Sequence, residues 1–442
     1  MESDLPLSQQ NLSVTLFKAT WPMVFGVLAI MSFQLVDSAF IGQLGVIPLA
    51  LQGFTMPLQM VLIGVQVGFG IAATVLIAKL LGGNQTEEAK QMAGLTISLG
   101  VIVIGLVCLL LYLFRFPLLS ALGATQDVYP LVSSYWAWWG LSAWLGALQY
   151  FLYSVCRANG NTMLPGIMMV VTSVLNIALD PLFIFVLGWG INGAAIATCL
   201  SFVCGIVILA YRLRGFRWLS FQHYALQINS AIKQISHIFF PAVMSQLMPS
   251  LSAILATKLL ASFGAAAVAA WGLGSRVEFF AIVVVLALTM SLPPMISHAL
   301  GAGQLERITK LVRIALLFVL SWQLFIGGVS WIGADYLAQL MSSEQQVSQI
   351  LRYYLLLVPF SLGALGCCMI LVSVSNALGK SYMALLISLV RLFGLFLPCI
   401  WFGAQFGGIE GIFIGAFIGN LLAGAFAYFT YLKTMTGLAV RA

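Results

Sequence analysis

Long apolar runs follow one another through almost the whole chain, and most of them exceed the length that a helix needs to cross a bilayer, about 20 residues. Of the 442 residues, 62% are hydrophobic and only 7% are charged, against about 25% charged in an average soluble domain. A soluble globule cannot bury that much apolar surface. Because the runs are continuous rather than alternating, they predict an all-α integral membrane protein and not a membrane β-barrel.

Breaks rich in Gly, Pro and Asn divide the apolar sequence into twelve predicted transmembrane helices. These helices are predicted at residues 15–41, 47–78, 91–114, 131–156, 162–186, 191–212, 232–261, 266–296, 308–333, 349–376, 381–403 and 409–432. Lys and Arg concentrate in the loops on one side, so both termini are expected to be cytoplasmic. The N-terminal stretch lacks the basic region and cleavage site of a secretory signal peptide, so it is not expected to be one.

The sequence repeats itself at an offset of 219 residues. Pro22 aligns with Pro241 and Gly45 with Gly264 at that offset. IAKLLGGNQTE, which begins at residue 77, aligns with ISHALGAGQLE, which begins at residue 296. Further on the register slips by one residue, so that GING at 190–193 aligns with GIEG at 408–411. The two halves of the chain therefore share one helical pattern.

This repeat predicts two six-helix lobes, at residues 1–212 and 232–442, joined by a cytoplasmic linker at 213–231. Each lobe has an even number of helices, so the two repeats run parallel. They are expected to be related by a pseudo-two-fold axis along the membrane normal, as in transporters whose lobes rock about a central cavity.

Two carboxylates occupy positions where a charge is costly. Asp37 lies inside the first predicted helix and Asp180 inside the fifth, and a charged side chain at mid-membrane costs roughly 3 kcal/mol on insertion scales. Asn176 precedes Asp180 by four residues and so shares its helix face. Two acids and an amide are suitable groups for a proton or hard-cation site. The alternative is a hydrogen-bonded cluster that only fixes helix packing.

The second half of the repeat carries none of these polar groups. At matched positions Asp37 aligns with Ala256, Asn176 with Leu395, Asp180 with Cys399 and, after the slip, Thr198 with Ala416. A requirement of packing alone would be expected to keep some polar equivalents in both halves. The contrast favours a task performed by the N-terminal half.

The pattern as a whole resembles the multidrug and toxic compound extrusion (MATE) family, and within it the DinF-like branch. The resemblance rests on LVDSAFIG in the first helix, RANGNT after the fourth, LNIALDPLFIF in the fifth and the two parallel halves. It implies export of cationic or amphipathic drugs and metabolites in exchange for H⁺ or Na⁺.

Carried over residue by residue, the resemblance implies roles for several positions. Asp37, Asn176, Asp180 and Thr198 stand where DinF-like members hold their proton or cation site, and Pro22 stands where the first helix is proposed to bend. Pro22 and Gly26 share that helix with Asp37, and proline tolerates a kink. Acids that other members carry on the seventh and tenth helices are missing here, which counts against Na⁺ coupling through the second lobe.

Polar and aromatic side chains at helical spacing mark a candidate substrate cavity. Aromatic rings with amides suit flat, cationic ligands, although for each stripe taken alone helix packing with interhelical hydrogen bonds is the favoured explanation. The candidate cavity residues are Gln34, Gln52, Tyr135, Trp139, Gln149 and Tyr153.

Three charges in the second half need separate interpretation. Lys258 lies near the end of the seventh helix. Glu278 is expected either to pair with Lys258 or to line the C-terminal lobe. A structural ion pair is favoured over a second coupling site. Arg391 has no acidic partner that the sequence identifies. The seven cysteines lie in apolar runs without metal-ligand spacing, so no cofactor and no tightly bound metal are expected.

The sequence therefore predicts a monomeric multidrug antiporter in a bacterial or archaeal inner membrane. A flippase for lipid-linked oligosaccharides is the alternative, but such a protein is expected to line its cavity with Arg and Lys. An ion channel or a membrane enzyme is a remote alternative, because the sequence contains no selectivity-filter motif and no nucleophile–base arrangement. The net charge of +7 does not indicate nucleic-acid binding, since the basic residues flank apolar runs.

Overall fold

A computed structural model describes residues 11–124, 126–222 and 225–439 of the chain. All regular secondary structure in these ranges is helical, and this confirms the predicted all-α fold. The expectation about a signal peptide falls on residues 1–10, which lie outside the described residues, as do residues 223 and 224 of the predicted linker.

The helices are numbered here in chain order. They are α1 (Leu12–Gln43), α2 (Val46–Gly82), α3 (Thr86–Leu113), α4 (Arg115–Ala121), α5 (Tyr129–Ala158), α6 (Met163–Pro181), α7 (Gly190–Phe216), α8 (Ile228–Ala261), α9 (Ala265–Ala281), α10 (Val283–Gly301), α11 (Leu305–Met341), α12 (Gln345–Ala377), α13 (Ser381–Leu389) and α14 (Leu397–Ala439). Two π-helical segments, Leu182–Val186 and Val390–Phe396, follow α6 and α13.

Ten segments of the described chain are long and apolar enough to cross a membrane. One of them, Ser381–Leu438, contains two predicted spans, which Gly408 separates with a left-handed φ of 59°. The remaining predicted span is α5, a 30-residue helix rich in Trp and Tyr that is not among those ten segments. The predicted spans thus all correspond to helices.

One predicted helix is wrong as a continuous element. The span predicted at 266–296 is two helices, α9 and α10, because Ile282 leaves helical geometry with φ −88° and ψ 6°. Its N–H still bonds to the Glu278 carbonyl at 2.9 Å. Neither Gly nor Pro lies at this junction, so the sequence carries no signal for the break.

The described chain forms two compact units. The N-terminal unit comprises residues 18–243, and the C-terminal unit comprises residues 244–439 together with 11–17. The division falls inside α8, whereas the predicted lobes meet at a linker, and those lobe boundaries remain a prediction. In the N-terminal unit the segment after α7 packs on α3, where the Ser220 N–H donates to the Lys90 carbonyl at 3.1 Å.

Matched positions of the repeat share unusual backbone conformations. Gly45 and Gly264, which precede α2 and α9, have φ of 113° and 103°. Gly160 and Gly379 have φ of 79° and 72°. A residue with a Cβ rarely adopts such backbone angles, so each pair of glycines marks a turn that both halves of the chain require.

The part of α1 around Pro22 and Gly26 packs directly on α6. A Cβ on Gly166 would lie 2.4 Å from the Pro22 carbonyl oxygen, and a Cβ on Gly26 would lie 2.7 Å from the Met169 Sδ. Only glycine allows the two helices to approach this closely. The position of α1 is therefore fixed against the helix that carries Asn176 and Asp180.

We expect Gly166→Ala to destabilise the protein by about 1–3 kcal/mol, because the added methyl group overlaps backbone that cannot move aside. Thermal unfolding of the purified protein in detergent measures the effect. Gly140→Ala in α5 is the matched control, since a Cβ there meets no atom within 4 Å. Equal unfolding temperatures for the two variants would contradict the proposed close contact.

Candidate functional site

Asp37 lies at the contact between α1 and α2. Its carboxylate is partly buried, and its Oδ2 accepts a hydrogen bond from Gln52 Nε2 at 3.2 Å. The Gln52 carbonyl accepts from the Thr55 hydroxyl at 2.8 Å, one turn further along α2. Gln52, predicted to line a substrate cavity, is therefore a direct partner of the acid.

Asp180 is fully buried, in the last turn of α6 before the π-helical segment. The Asn176 carboxamide directs its nitrogen toward this carboxylate, because only that orientation gives both of its polar ends a partner. Asn176 Nδ2 then donates to Asp180 Oδ2 at 2.9 Å, and its Oδ1 accepts from the Thr198 hydroxyl at 3.0 Å. Three of the four predicted coupling residues thus form one chain of contacts.

The second oxygen of Asp180 has no such partner. Asp180 Oδ1 is buried and accepts no hydrogen bond from the described residues. Asp37 lies close enough to Asp180 to interact with it electrostatically. A buried carboxylate oxygen that lacks a donor is a position for a proton or a small cation, because an unpaired charge is costly there.

A tyrosine from α5 completes the group around Asp37. Tyr135 is buried, its hydroxyl faces Thr55, and it lies within the field of the Asp37 carboxylate. Trp139 is one turn further on and packs its ring against Trp136, with ring centroids 5.2 Å apart. We call Asp37, Gln52, Asn176, Asp180 and Thr198 the acid site. Of the two predicted cavity residues, Tyr135 therefore lies at the acid site and Trp139 in the packed core.

Gln149 and Tyr153 form a separate buried polar pair on α5. The Gln149 amide donates to the Tyr153 hydroxyl, which also faces Thr172 of α6. Gly205 of α7 lies against this pair, where a Cβ would be 2.9 Å from Gln149 Nε2. Because Thr172 is one turn before Asn176, this pair lies next to the acid site along α6.

Two other predicted positions lie apart from these groups. Gln34 is exposed on α1. Lys258 is exposed near the end of α8, and the expected ion pair between it and Glu278 is absent. An exposed lysine can extend its amine to the membrane surface, so no internal acid is needed to hold it. Glu278 instead lies near the Tyr354 hydroxyl, which is buried without a hydrogen-bond partner among the described residues.

Sequence reasoning missed Thr55 and Thr172. Both lie one turn from a residue that was singled out, Thr55 after Gln52 and Thr172 before Asn176. Their spacing was a usable signal, because residues three or four apart share a helix face. Among the described residues no cluster of His, Cys, Asp and Glu has the arrangement of a metal site.

Comparison with known proteins identifies the family. The MatE family model matches residues 22–182 and again residues 241–402, so it also finds the internal repeat. The chain is 32% identical to a protein of Shewanella oneidensis named FAD transporter, over 94% of this chain and 93% of that protein. It is 25% identical to the multidrug export protein MepA of Staphylococcus aureus, over 88% and 87% of the two chains.

Solved structures agree with the sequence comparison. The MATE transporter VcmN of Vibrio cholerae, described in a bent form, is 59% identical and superposes with a TM-score of 0.95 over 96% of this chain and 97% of its own. An outward-facing MATE transporter at 22% identity shares the fold with a TM-score of 0.91 over 98% of this chain and 97% of its own. The matched halves, the relatives and the shared fold lead to one conclusion: the chain belongs to the MatE family of membrane transporters.

Proposed function

We propose that the protein is a secondary antiporter that exports organic compounds by alternating access, driven by an inward proton flux through Asp37 and Asp180. One observation carries the proposal: two carboxylates lie within electrostatic reach of each other inside the N-terminal unit, and one oxygen of Asp180 is buried without a donor. Acids in membrane helices that face a protein interior are typical of proton relays.

The proton acts here by converting an acceptor into a donor. A carboxylate only accepts hydrogen bonds, whereas a protonated carboxyl group also donates one. Protonation therefore removes the repulsion between Asp37 and Asp180 and changes what each can bind. Since Asp37 lies on α1, which packs on α6 at Pro22 and Gly166, the change favours one geometry of α1, straight or bent, over the other.

The orientation of the two amides favours H⁺ over Na⁺ as the coupling ion. Gln52 presents its nitrogen to Asp37, and Asn176 presents its nitrogen to Asp180. A sodium ion is held by several oxygen ligands, as other hard cations are, and here each carboxylate faces an N–H donor instead. Na⁺ is the second candidate for the coupling ion, and imposing the pH gradient and the sodium gradient separately distinguishes the two.

Cationic and amphipathic drugs are the proposed cargo. A multidrug relative covers most of this chain, and the two carboxylates inside the N-terminal unit favour a cationic cargo over an anionic one. Export of FAD is the second candidate, favoured by the relative of that name. These relatives do not favour the lipid-linked oligosaccharide flippase. We further propose the DinF-like branch, a bacterial inner membrane, cytoplasmic termini and a monomer, on the sequence features given above.

We expect Asp37→Asn and Asp180→Asn each to reduce proton-driven efflux about 100-fold or more, because a side-chain amide cannot take up and release a proton at neutral pH as a carboxyl group can. Purified protein in lipid vesicles, loaded with ethidium and given a pH gradient or a sodium gradient separately, measures the effect. Asp127→Asn, at an exposed acid outside the predicted spans, is the matched control.

Two outcomes of that experiment contradict the proposal. Full exchange by either variant would remove that carboxylate from the coupling step. Efflux driven by the sodium gradient, with no response to the pH gradient, would replace the proton with Na⁺ as the coupling ion.

We expect Thr198→Val to slow proton-driven efflux about 5- to 10-fold and Thr198→Ser to leave it near the original rate. The valine removes the hydroxyl that orients Asn176, at a cost of about 1 kcal/mol for a neutral hydrogen bond, while serine retains it. Initial efflux rates in the same vesicles measure the difference. Equal rates for the two variants would show that Thr198 only packs α6 against α7.

A further inference from the structure

The C-terminal unit contains a cavity of about 110 Å³ that no part of the proposed coupling step uses. It lies between α9, α12, α14 and the π-helical segment Val390–Phe396. Its wall includes both a carboxylate, Glu278, and a guanidinium, Arg391, together with Trp271 and Asn420. Charged side chains inside a membrane helix bundle are costly, and their presence indicates a function.

The repeat places this cavity at the counterpart of the acid site. At the common offset Trp271 matches Gln52 and Arg391 matches Thr172. After the slip, Ala416 in the cavity wall matches Thr198. The same position in the fold therefore holds a cluster of acids and amides in one unit and a mixed, aromatic cavity in the other.

The two charges of this cavity do not neutralise each other directly. Glu278 lies near the Tyr354 hydroxyl, and the described residues show no ion pair between Glu278 and Arg391. Arg391 lies beside Cys368, and its Nε is buried without a hydrogen-bond partner. The cavity thus presents an acceptor, the Glu278 carboxylate, on one wall and an unused donor, Arg391 Nε, on another.

Trp271 and Asn420, in the remaining walls of the cavity, restrict the shape of the ligand that it can hold. The Trp271 ring is held edge-on to Tyr354 and parallel to Phe413, with centroids 5.6 Å and 6.3 Å apart. Asn420 already donates its nitrogen to the Ser361 hydroxyl at 2.9 Å, so its oxygen is the group that it can offer as an acceptor. A cavity of about 150 Å³ can hold benzene, so the space here is close to that of a single six-membered ring.

We propose that this cavity is a subsite for one planar, uncharged heterocyclic ring whose edge carries both N–H and C=O groups. The ring N–H donates to Glu278, the ring carbonyl accepts from Arg391, and a ring face packs on Trp271, as proteins bind the faces and edges of nucleobases. A simple anion or cation fits less well, because each would meet one charge of its own sign. The proposal rests on the proposed transport function and narrows the class of its cargo.

1-Methyluracil is a suitable probe, because it is a single uncharged ring with one N–H between two carbonyl groups. We expect isothermal titration calorimetry to detect its binding to the purified full-length protein in detergent. We expect 1,3-dimethyluracil, in which a methyl group replaces that N–H, to bind about tenfold more weakly, since a buried acceptor loses its donor.

Matched variants locate the site. Arg391→Gln and Glu278→Gln are each expected to weaken 1-methyluracil binding about tenfold. Arg313→Gln, the same exchange at an exposed arginine of α11 in the same unit, is expected to leave the affinity unchanged. Thermal unfolding of each variant confirms that it is folded, and the comparison of the two ligands on the unmodified protein needs no variant.

Equal affinity for 1-methyluracil and its 1,3-dimethyl form, or undiminished binding by a folded Arg391→Gln protein, would overturn the subsite. Binding and transport can fail independently. If Arg391-dependent binding is found while proton-driven efflux is absent, the subsite stands and the antiport function falls. The reverse result removes the subsite alone.

Discussion

A carboxylate enclosed by lipid-embedded helices is stable only if its surroundings supply donors or a proton, and this requirement organises the N-terminal unit. Asp180 is fully buried and relies on Asn176, which in turn relies on Thr198 of the next helix. Those contacts require α6 and α7 to keep one register. Near the start of α7, Gly193 lies directly against the π-helical segment that follows α6, where a Cβ would be 2.6 Å from the Phe183 carbonyl oxygen. This contact holds α7 against the end of α6.

The same helix connects the acid to the element proposed to move. Gly166, Met169, Ser173, Asn176 and Asp180 recur every three or four residues, so they share one face of α6. One end of this face packs on α1 at Pro22 and Gly26, and its other end holds the acid that senses Asp37. A change in charge at Asp180 can therefore affect the close contact between α6 and α1 at the other end of this face. Close-packed contacts switch between discrete arrangements rather than deform gradually.

Duplication gave both units one helical plan but different polar interiors. The N-terminal unit joins acids to amides, which suits the exchange of a proton. The C-terminal unit places Glu278 and Arg391 around a ring-sized cavity with Trp271 between α9 and α14. Matched glycines with positive φ keep the turns alike in both units, while the interior side chains, which do not determine the turns, were free to diverge.

The sequence alone determined most of the helices, the repeat and the position of Asp37 and Asp180 within apolar helices, because hydropathy and turn residues are properties of the local chain. It could not show the break at Ile282, the hydrogen bond between Gln52 and Asp37, or the absence of an ion pair between Lys258 and Glu278. Only the tertiary structure decided which oxygen of Asp180 lacks a donor and that Glu278 and Arg391, 113 residues apart, line one cavity. Such contacts depend on how each helix is rotated about its axis and on two π-helical segments, and packing between distant parts of the chain sets both.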